Sequence, residues 1–330
     1  MLSSVLIGVI VIAFIFEFIN GFHDTANAIA TSVYTKALTP RRAIMLAAAM
    51  NFLGALVSEK VAMTISQGLI DIALEQYVIM AALVGAILWN LFTWWRGIPS
   101  SSSHALIGSL VGATMVYTMS TEHIMWSGVV EKVVVPLVTS PFIGLLVGFG
   151  CMKLIYRLFV NWSQGSVNKL FLKLQIFSSA FVAYSHGNND AQKTMGIITL
   201  ALITGGVLDS GSGVPLWVKI CCACTMALGT SIGGWKIMKT MGGGVTKLEP
   251  ASGFAAQTAS AVVIESMTFF GAPVSTTQVI TTSIMGAGSA KRVSSVKWGI
   301  ARSIVAAWVF TLPVAMILGG ASAYVIGLFV

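Results

Sequence analysis

Apolar residues run along this chain in long blocks, about ten of them, near 4–34, 43–58, 77–95, 104–119, 133–158, 172–203, 217–238, 254–270, 275–289 and 299–328. Short breaks marked by charge, Gly or Pro separate them. A helix of about 20 predominantly apolar residues crosses a bilayer, so the pattern predicts an all-α bundle of spanning helices. The first and sixth blocks are too long for one straight span and are interrupted by polar clusters, so each is expected to be a broken helix. Residues 1–19 lack a basic leader, and their apolar run ends in polar residues instead of a small-residue cleavage site, which predicts that they are retained.

Composition then excludes whole classes of function. Hydrophobic residues make up 56% of the 330 and charged residues 9%, with a mean hydropathy of +0.88, against about 25% charge in a soluble domain. Too few charges exist to cover a water-facing surface, so a soluble enzyme, a nucleic-acid binder and a disordered scaffold are excluded. The partner this composition requires is the lipid bilayer. The net charge of +8 is read by position, because cations sort to the cytoplasmic side. All but Lys60, Lys132, Lys193 and Lys219 of the 19 Lys and Arg fall at one set of block ends: Lys36–Arg42, Arg96, Lys153–Lys173, Lys236–Lys247 and Lys291–Arg302. Glu59, Asp71, Glu75, Glu122, Glu131 and Asp209 mark the other. This sorting predicts a multi-pass protein of the cell membrane with both termini outside the cytoplasm. Cys151, Cys221, Cys222 and Cys224 lie in apolar runs without metal-ligand spacing and imply no disulfide framework.

The two halves repeat each other. Gly21–Asn27 aligns with Gly187–Lys193 at an offset of 166, and Gly97–Ser103 aligns with Gly271–Thr277 at 174. The difference fits an insertion in the loop Gly205–Gly213. Five spans per half, an odd number, would send the second half into the membrane in the opposite sense, and such inverted repeats place a transporter's substrate site at the midplane. The expected organisation is an N-terminal repeat over 1–160, a short basic cytoplasmic linker over 161–171, and an inverted C-terminal repeat over 172–330.

Polar residues inside these blocks carry the candidate chemistry. Glu17, Asn20, Asp24 and Asn27 form one stripe at i, i+3, i+7 and i+10, and His186, Asn189, Asp190 and Lys193 repeat it in the second half. An intramembrane charge costs at least roughly 2.5–3.5 kcal/mol on insertion scales and marks ion, proton or substrate sites. Two further segments, Ser100–Ser103 and Ser275–Thr277, follow a Gly-x-Pro break and precede a renewed apolar run. Pro and Ser/Thr favour helix starts, and a helix start offers unpaired N–H groups and the positive dipole end to an anion. Opposed starts from the two repeats would wrap one tetrahedral oxyanion.

At this point the sequence resembles a known family. Gly-Phe-His-Asp-Thr-Ala-Asn-Ala-Ile-Ala-Thr at 21–31 and Ser-His-Gly-Asn-Asn-Asp-Ala-Gln-Lys-Thr-Met-Gly at 185–196 look like the two signature motifs of the PiT family of inorganic phosphate transporters. Gly-Ile-Pro-Ser-Ser-Ser-Ser-His at 97–104 and Pro-Val-Ser-Thr-Thr at 273–277 resemble its paired Ser/Thr segments. The resemblance implies a cation-coupled phosphate symporter with inverted repeats, often dimeric, with re-entrant or half-helix Ser/Thr segments at the midplane. It implies that Ser101, Ser102, Ser103, Ser275, Thr276, Thr277 and Asn189 bind phosphate, free or as a metal–phosphate complex. Asp24, Asn27 and Asp190, with Glu17 and Asn20, would hold the coupling cation, and Asp24, Asn27 and Asp190 would be its ligands if that cation is Na⁺. His104, His186, Lys193 and Glu265 are further candidates. No cofactor is expected beyond Na⁺ or H⁺. Gln278 stands where many members have His, so a symmetric role for His104 is not expected. The chain also lacks the long central hydrophilic loop of larger relatives.

Energetics point the same way. Importing a monoanion into a negative interior opposes roughly 2.3 kcal/mol per 100 mV, and each co-imported cation returns as much. Two alternatives remain open. Sulfate would suit the same hydroxyls, but it has no proton to donate to Asp24 or Asp190. An intramembrane serine hydrolase would need a nucleophile among Ser100–Ser103, and the segment lacks a Gly-x-Ser-x-Gly turn.

Overall fold

The computed structural model describes residues 3–232, Met238 and 243–330, with their side chains except those of Ala26 and Asn27. The expected coupling residue Asn27 therefore lies outside the described side chains, as do Lys236 and Lys239. Among the described residues the only β pairings are isolated bridges.

Among the described residues the long helices follow in order: α1 Ser4–Tyr34, α2 Pro40–Ala55, α3 Lys60–Gln67, α4 Gln76–Arg96, α5 Ser102–Thr118, α6 Trp126–Leu158, α7 Gln164–Thr204, α8 Leu216–Ile232, α9 Pro250–Phe269, α10 Thr276–Ser289 and α11 Trp298–Gly327. Their limits follow local rules. Ser3 caps α1 through its hydroxyl, which accepts from the Leu6 N–H, and Pro40 and Pro250 open α2 and α9, where a missing N–H costs nothing. Gly97 and Gly271, at φ 68° and 71°, turn the chain from α4 toward α5 and from α9 toward α10, a left-handed conformation that a side chain would strain.

One expectation needs correction here. The first and sixth blocks are not broken: α1 and α7 are continuous helices of 31 and 41 residues. Their polar residues recur at helical spacing, so they form a stripe without interrupting the backbone ladder, and the stripe is buried against other polar groups. The break lies instead between α2 and α3, which bend by 65°. The linker expected at 161–171 is mostly helix as well, because α7 begins at Gln164, capped by the Ser163 hydroxyl. Length and apolarity sufficient to cross a bilayer are combined in α1, α4, α6 and α11, and in α2 with α3 if the bent pair is one span. The ten blocks are thus not ten equivalent spans. With 17 and 14 residues, α5 and α10 are half-length elements.

The apolar core is divided in two. One cluster gathers Leu6–Phe16 of α1, Val78–Ala86 of α4 and Ala191–Leu202 of α7. The other gathers Ala28–Ala30 of α1, Val167–Ala183 of α7 and much of α9 and α10. Both α1 and α7 traverse the two clusters, in opposite directions, and their polar residues fall between them. Hydrogen bonds fix that antiparallel sense: Glu17 accepts from the Thr194 hydroxyl, and the Thr35 hydroxyl donates to Gln175 Oε1 at 2.6 Å.

Glycines set the closest crossings. A Cβ on Gly21 would lie 2.5 Å from the Met226 carbonyl oxygen of α8, and one on Gly187 would lie 2.3 Å from the Asn51 carbonyl oxygen of α2. Their partners Gly229 and Gly54 would meet the Phe18 and Tyr184 carbonyls at 2.2 and 2.1 Å. Backbones approach this closely only across small residues.

Candidate functional site

The two hydroxyl-rich helix starts meet between the apolar clusters. Ser101 and Ser275 are their N-caps, accepting from the His104 and Gln278 N–H groups at 3.2 and 3.3 Å. These two hydroxyls therefore serve their own helices. The starts touch directly, since the Ser103 hydroxyl donates to the Val274 carbonyl at 2.8 Å and His104 Nδ1 lies 3.5 Å from Gln278 Nε2.

Each helix start also reaches a carboxylate from α1 or α7. Ser102 donates to Asp24 Oδ2 at 2.5 Å, and Thr277, from the other half, to Asp24 Oδ1 at 3.2 Å. Thr276 donates to Asp190 Oδ2 at 3.1 Å, while Lys193 Nζ donates to Asp190 Oδ1 at 2.6 Å. Ligand atoms of Asp24, Asp190 and His186 all lie within 4.8 Å of one another, and all three residues are buried. Two carboxylates held this close, with one ammonium on Asp190, repel each other unless further positive charge joins them. Carboxylate and hydroxyl oxygens are the donors that hard cations prefer. The hydroxyls expected to hold the anion and the carboxylates expected to hold the cation thus form one constellation.

His186 is oriented from behind. Its Nε2 lies 3.3 Å from Asp190 Oδ2 and its Nδ1 3.0 Å from Asn51 Oδ1. Asn51 in turn donates to the hydroxyls of Thr25 and Thr230 at 3.2 and 3.0 Å, and those two hydroxyls are 2.8 Å apart. Elements α1, α2, α7 and α8 are pinned together in this way. In the first half His23 holds a similar post, with Nδ1 2.6 Å from Asp24 Oδ1 and Nε2 3.1 Å from Thr93 Oγ1. Neither His23 nor Asn51 was among the residues singled out by sequence. His23 aligns with Asn189 in the repeat, which is the signal that points to it; Asn51 is a lone amide in an apolar helix and carries none.

Other expected residues sit at the margins. Asn189 donates to Thr268 Oγ1 and the Ala272 carbonyl, leaving its buried Oδ1 unpartnered. Glu17 and Asn20 are fully buried on α1, where Glu17 Oε1 and both polar atoms of Asn20 make no hydrogen bond. They form a separate polar group beside Thr194. Glu265 is half-buried and accepts from Asn188 Nδ2 at 3.1 Å, away from the two aspartates' hydroxyl donors.

Comparisons with known proteins place the chain in a family. The model of the phosphate transporter family matches residues 20–319. A protein of Bacillus subtilis (strain 168) named as a probable low-affinity inorganic phosphate transporter is 47% identical over 323 residues, covering 97% of this chain and 96% of its own. One of the same name from Rhizobium meliloti (strain 1021) is 47% identical over 315 residues, covering 95% and 94%. A solved structure described as the sodium-dependent phosphate transporter superposes with a TM-score of 0.91 over 99% of this chain and all of its own, at 24% identity. That likeness establishes the fold.

Proposed function

The chain belongs to the phosphate transporter family, and we propose that within it the molecule is a Na⁺-coupled symporter that carries phosphate inward by alternating access. A transporter and not an enzyme, it is a multi-pass membrane protein, and phosphate is the cargo of its family. The serine hydrolase reading is thereby set aside.

One observation carries the coupling proposal: the hydroxyls of Ser102, Thr276 and Thr277 donate to Asp24 and Asp190, with Thr277 crossing between the halves. Phosphate needs those donors, and it is repelled by those carboxylates. A cation seated between Asp24 and Asp190 removes both obstacles, because it neutralises the carboxylates and competes for their oxygens, freeing the hydroxyls to turn toward the anion. Cation binding therefore precedes phosphate binding. The backbone N–H groups at the two helix starts complete the anion's surroundings. Neither ion alone stabilises the loaded state, which is what symport requires. A protonated oxygen of phosphate can also donate to a carboxylate, an option sulfate lacks.

The alternating-access reading is supported by the reciprocal architecture. The equivalent helices α1 and α7 run antiparallel, and the equivalent helix starts of α5 and α10 meet head to head, the arrangement expected of repeats inserted in opposite senses. Charge sorting adds that both termini face outward from the cytoplasm. Sodium is favoured over protons by the oxygen-rich surroundings of the carboxylates and by the name of the structural neighbour.

Proteoliposomes loaded to give a Na⁺ gradient, an H⁺ gradient or neither test the proposal with labelled phosphate. Concentrative uptake is expected with Na⁺ alone. Uptake driven equally by a pH gradient without Na⁺ would replace sodium with the proton, and uptake with neither gradient would refute coupling.

A further inference from the structure

A large apolar groove opens on the side of the molecule, away from the aspartates. Its volume is about 850 Å³, within the range of about 300–1,000 Å³ typical of ligand sites. Helices α5, α6, α10 and α11 wall it. Val133 and Leu137 of α6 face Val305 and Val309 of α11, and His104 with Gln278 form its inner end.

Three features specify an occupant. Trp126 at the start of α6 and Trp298 at the start of α11 both line the groove, and tryptophans at helix ends mark membrane interfaces. Arg302 lies one turn beyond Trp298 on the same lining face, followed at helical spacing by Val305, Ala306 and Val309. Its side chain is exposed and, among the described residues, no carboxylate pairs with it, whereas Lys291 pairs with Glu249 and Lys297 donates to the Gly243 carbonyl. A guanidinium at the mouth of an apolar groove matches a phosphate head attached to an acyl chain, since it binds phosphate through two parallel N–H donors. Basic pockets between spanning helices take anionic lipid head groups for the same reason.

We propose that this groove binds one anionic phospholipid, its phosphate on Arg302 and one acyl chain lying between α6 and α11 as far as His104 and Gln278. Those two residues belong to the first turns of α5 and α10, so the chain end bears on the back of the turns that carry Ser102, Ser103, Thr276 and Thr277. The lipid thereby braces the meeting of the two helix starts. Only this last consequence rests on the function proposed above; the binding itself is measured without transport.

Native mass spectrometry of the purified protein, titrated with phosphatidylglycerol or phosphatidylcholine, tests the site. Wild type is expected to retain one phosphatidylglycerol per chain, at least about fivefold over phosphatidylcholine. Arg302→Gln should lower retention to the phosphatidylcholine level, and Arg302→Lys should keep most of it. Val305→Trp, which fills the groove and leaves the charge, should also expel the lipid, and it decides the matter should Arg302→Gln misfold. Equal retention of the two lipids by wild type, or unchanged retention in both Arg302→Gln and Val305→Trp, overturns the proposal. So does disulfide cross-linking of two Val309→Cys copies in membranes, which would make a second chain the occupant. In proteoliposomes, Na⁺-driven uptake should fall severalfold when phosphatidylglycerol is omitted; absence of uptake in every lipid would count against symport and leave the binding result standing.

Discussion

Asp24 and Asp190 receive hydroxyls from both helix starts, so their charge decides what those starts can bind. Asp24→Asn and Asp190→Asn are each expected to abolish concentrative phosphate uptake in proteoliposomes while the protein still inserts and purifies as wild type, because an amide keeps the size and one accepting oxygen of the carboxylate but not the charge that attracts a cation. Normal accumulation by either variant removes that residue from coupling. The hydroxyls divide into two groups. Ser102→Ala and Thr277→Ala should weaken phosphate binding, read by calorimetry in Na⁺, by roughly 0.5–1.5 kcal/mol per neutral hydrogen bond and up to about 3 kcal/mol if it is charge-assisted. Ser101→Ala and Ser275→Ala remove caps and should instead cost roughly 0.5–2 kcal/mol of thermal stability. Unchanged phosphate affinity in all four would mean that the hydroxyls serve capping and packing alone. The aspartates and the Ser/Thr runs were legible in sequence because a charge in an apolar block has few structural excuses and because each appears twice. The assignment of Ser101 and Ser275 to capping was not legible: adjacent serines are alike until backbone geometry selects one of them as the cap.

At the level of elements, most apolar blocks correspond to helices, and Pro40, Gly97, Pro250 and Gly271 mark turns between them. Continuity of α1 and α7 escaped the pattern. Length and the interrupting polar cluster suggest a break, whereas Glu17 and Asp24 lie on one face of an unbroken helix that meets polar residues of α7. The α2–α3 bend escaped for the opposite reason, since Val57–Lys60 contains neither Gly nor Pro. Helix crossings are set by glycine, and they yield a sharp expectation. Gly187→Ala would place a methyl group 2.3 Å from the Asn51 carbonyl oxygen, a contact relieved only by moving α2 from α7 and with it the Asn51 amide that holds His186. Overpacking of this kind costs about 1–3 kcal/mol, and the loss should show as a lowered melting temperature in detergent. Gly150→Ala, where a Cβ meets nothing within 4 Å, is the matched control and should melt as wild type.

For the whole molecule, the proposed mechanism requires that the halves enter the membrane in opposite senses. Single cysteines at Lys169 and Asp209, in a background without Cys151, Cys221, Cys222 and Cys224, should react with an impermeant thiol reagent from opposite sides of the membrane, Lys169 from the cytoplasm. Labelling of both from one side would return both ends of α7 to the same face, and the charge-sorted topology would fail with it.

Lys193 gives the electrical cycle an asymmetry. Its ammonium rests on Asp190 Oδ1, whereas in the first repeat the group against Asp24 is the His23 imidazole, with Nδ1 2.6 Å from Oδ1. A side-chain ammonium is a counterion on a leash: it neutralises as sodium does, yet it never crosses with the load and never returns to the bath. Part of the charge of the carboxylate pair is therefore compensated from within the chain, and the current drawn per phosphate counts only ions that come and go. Cutting the leash with Lys193→Gln should leave Asp190 to recruit a mobile ion, so the charge moved per labelled phosphate, measured as voltage-dependent flux in proteoliposomes, should rise by about one elementary charge. An unchanged ratio would show that the lysine is a strut. A rise would mean that the chain itself carries charge that would otherwise come from solution, and that a single buried residue sets how steeply uptake follows the membrane voltage.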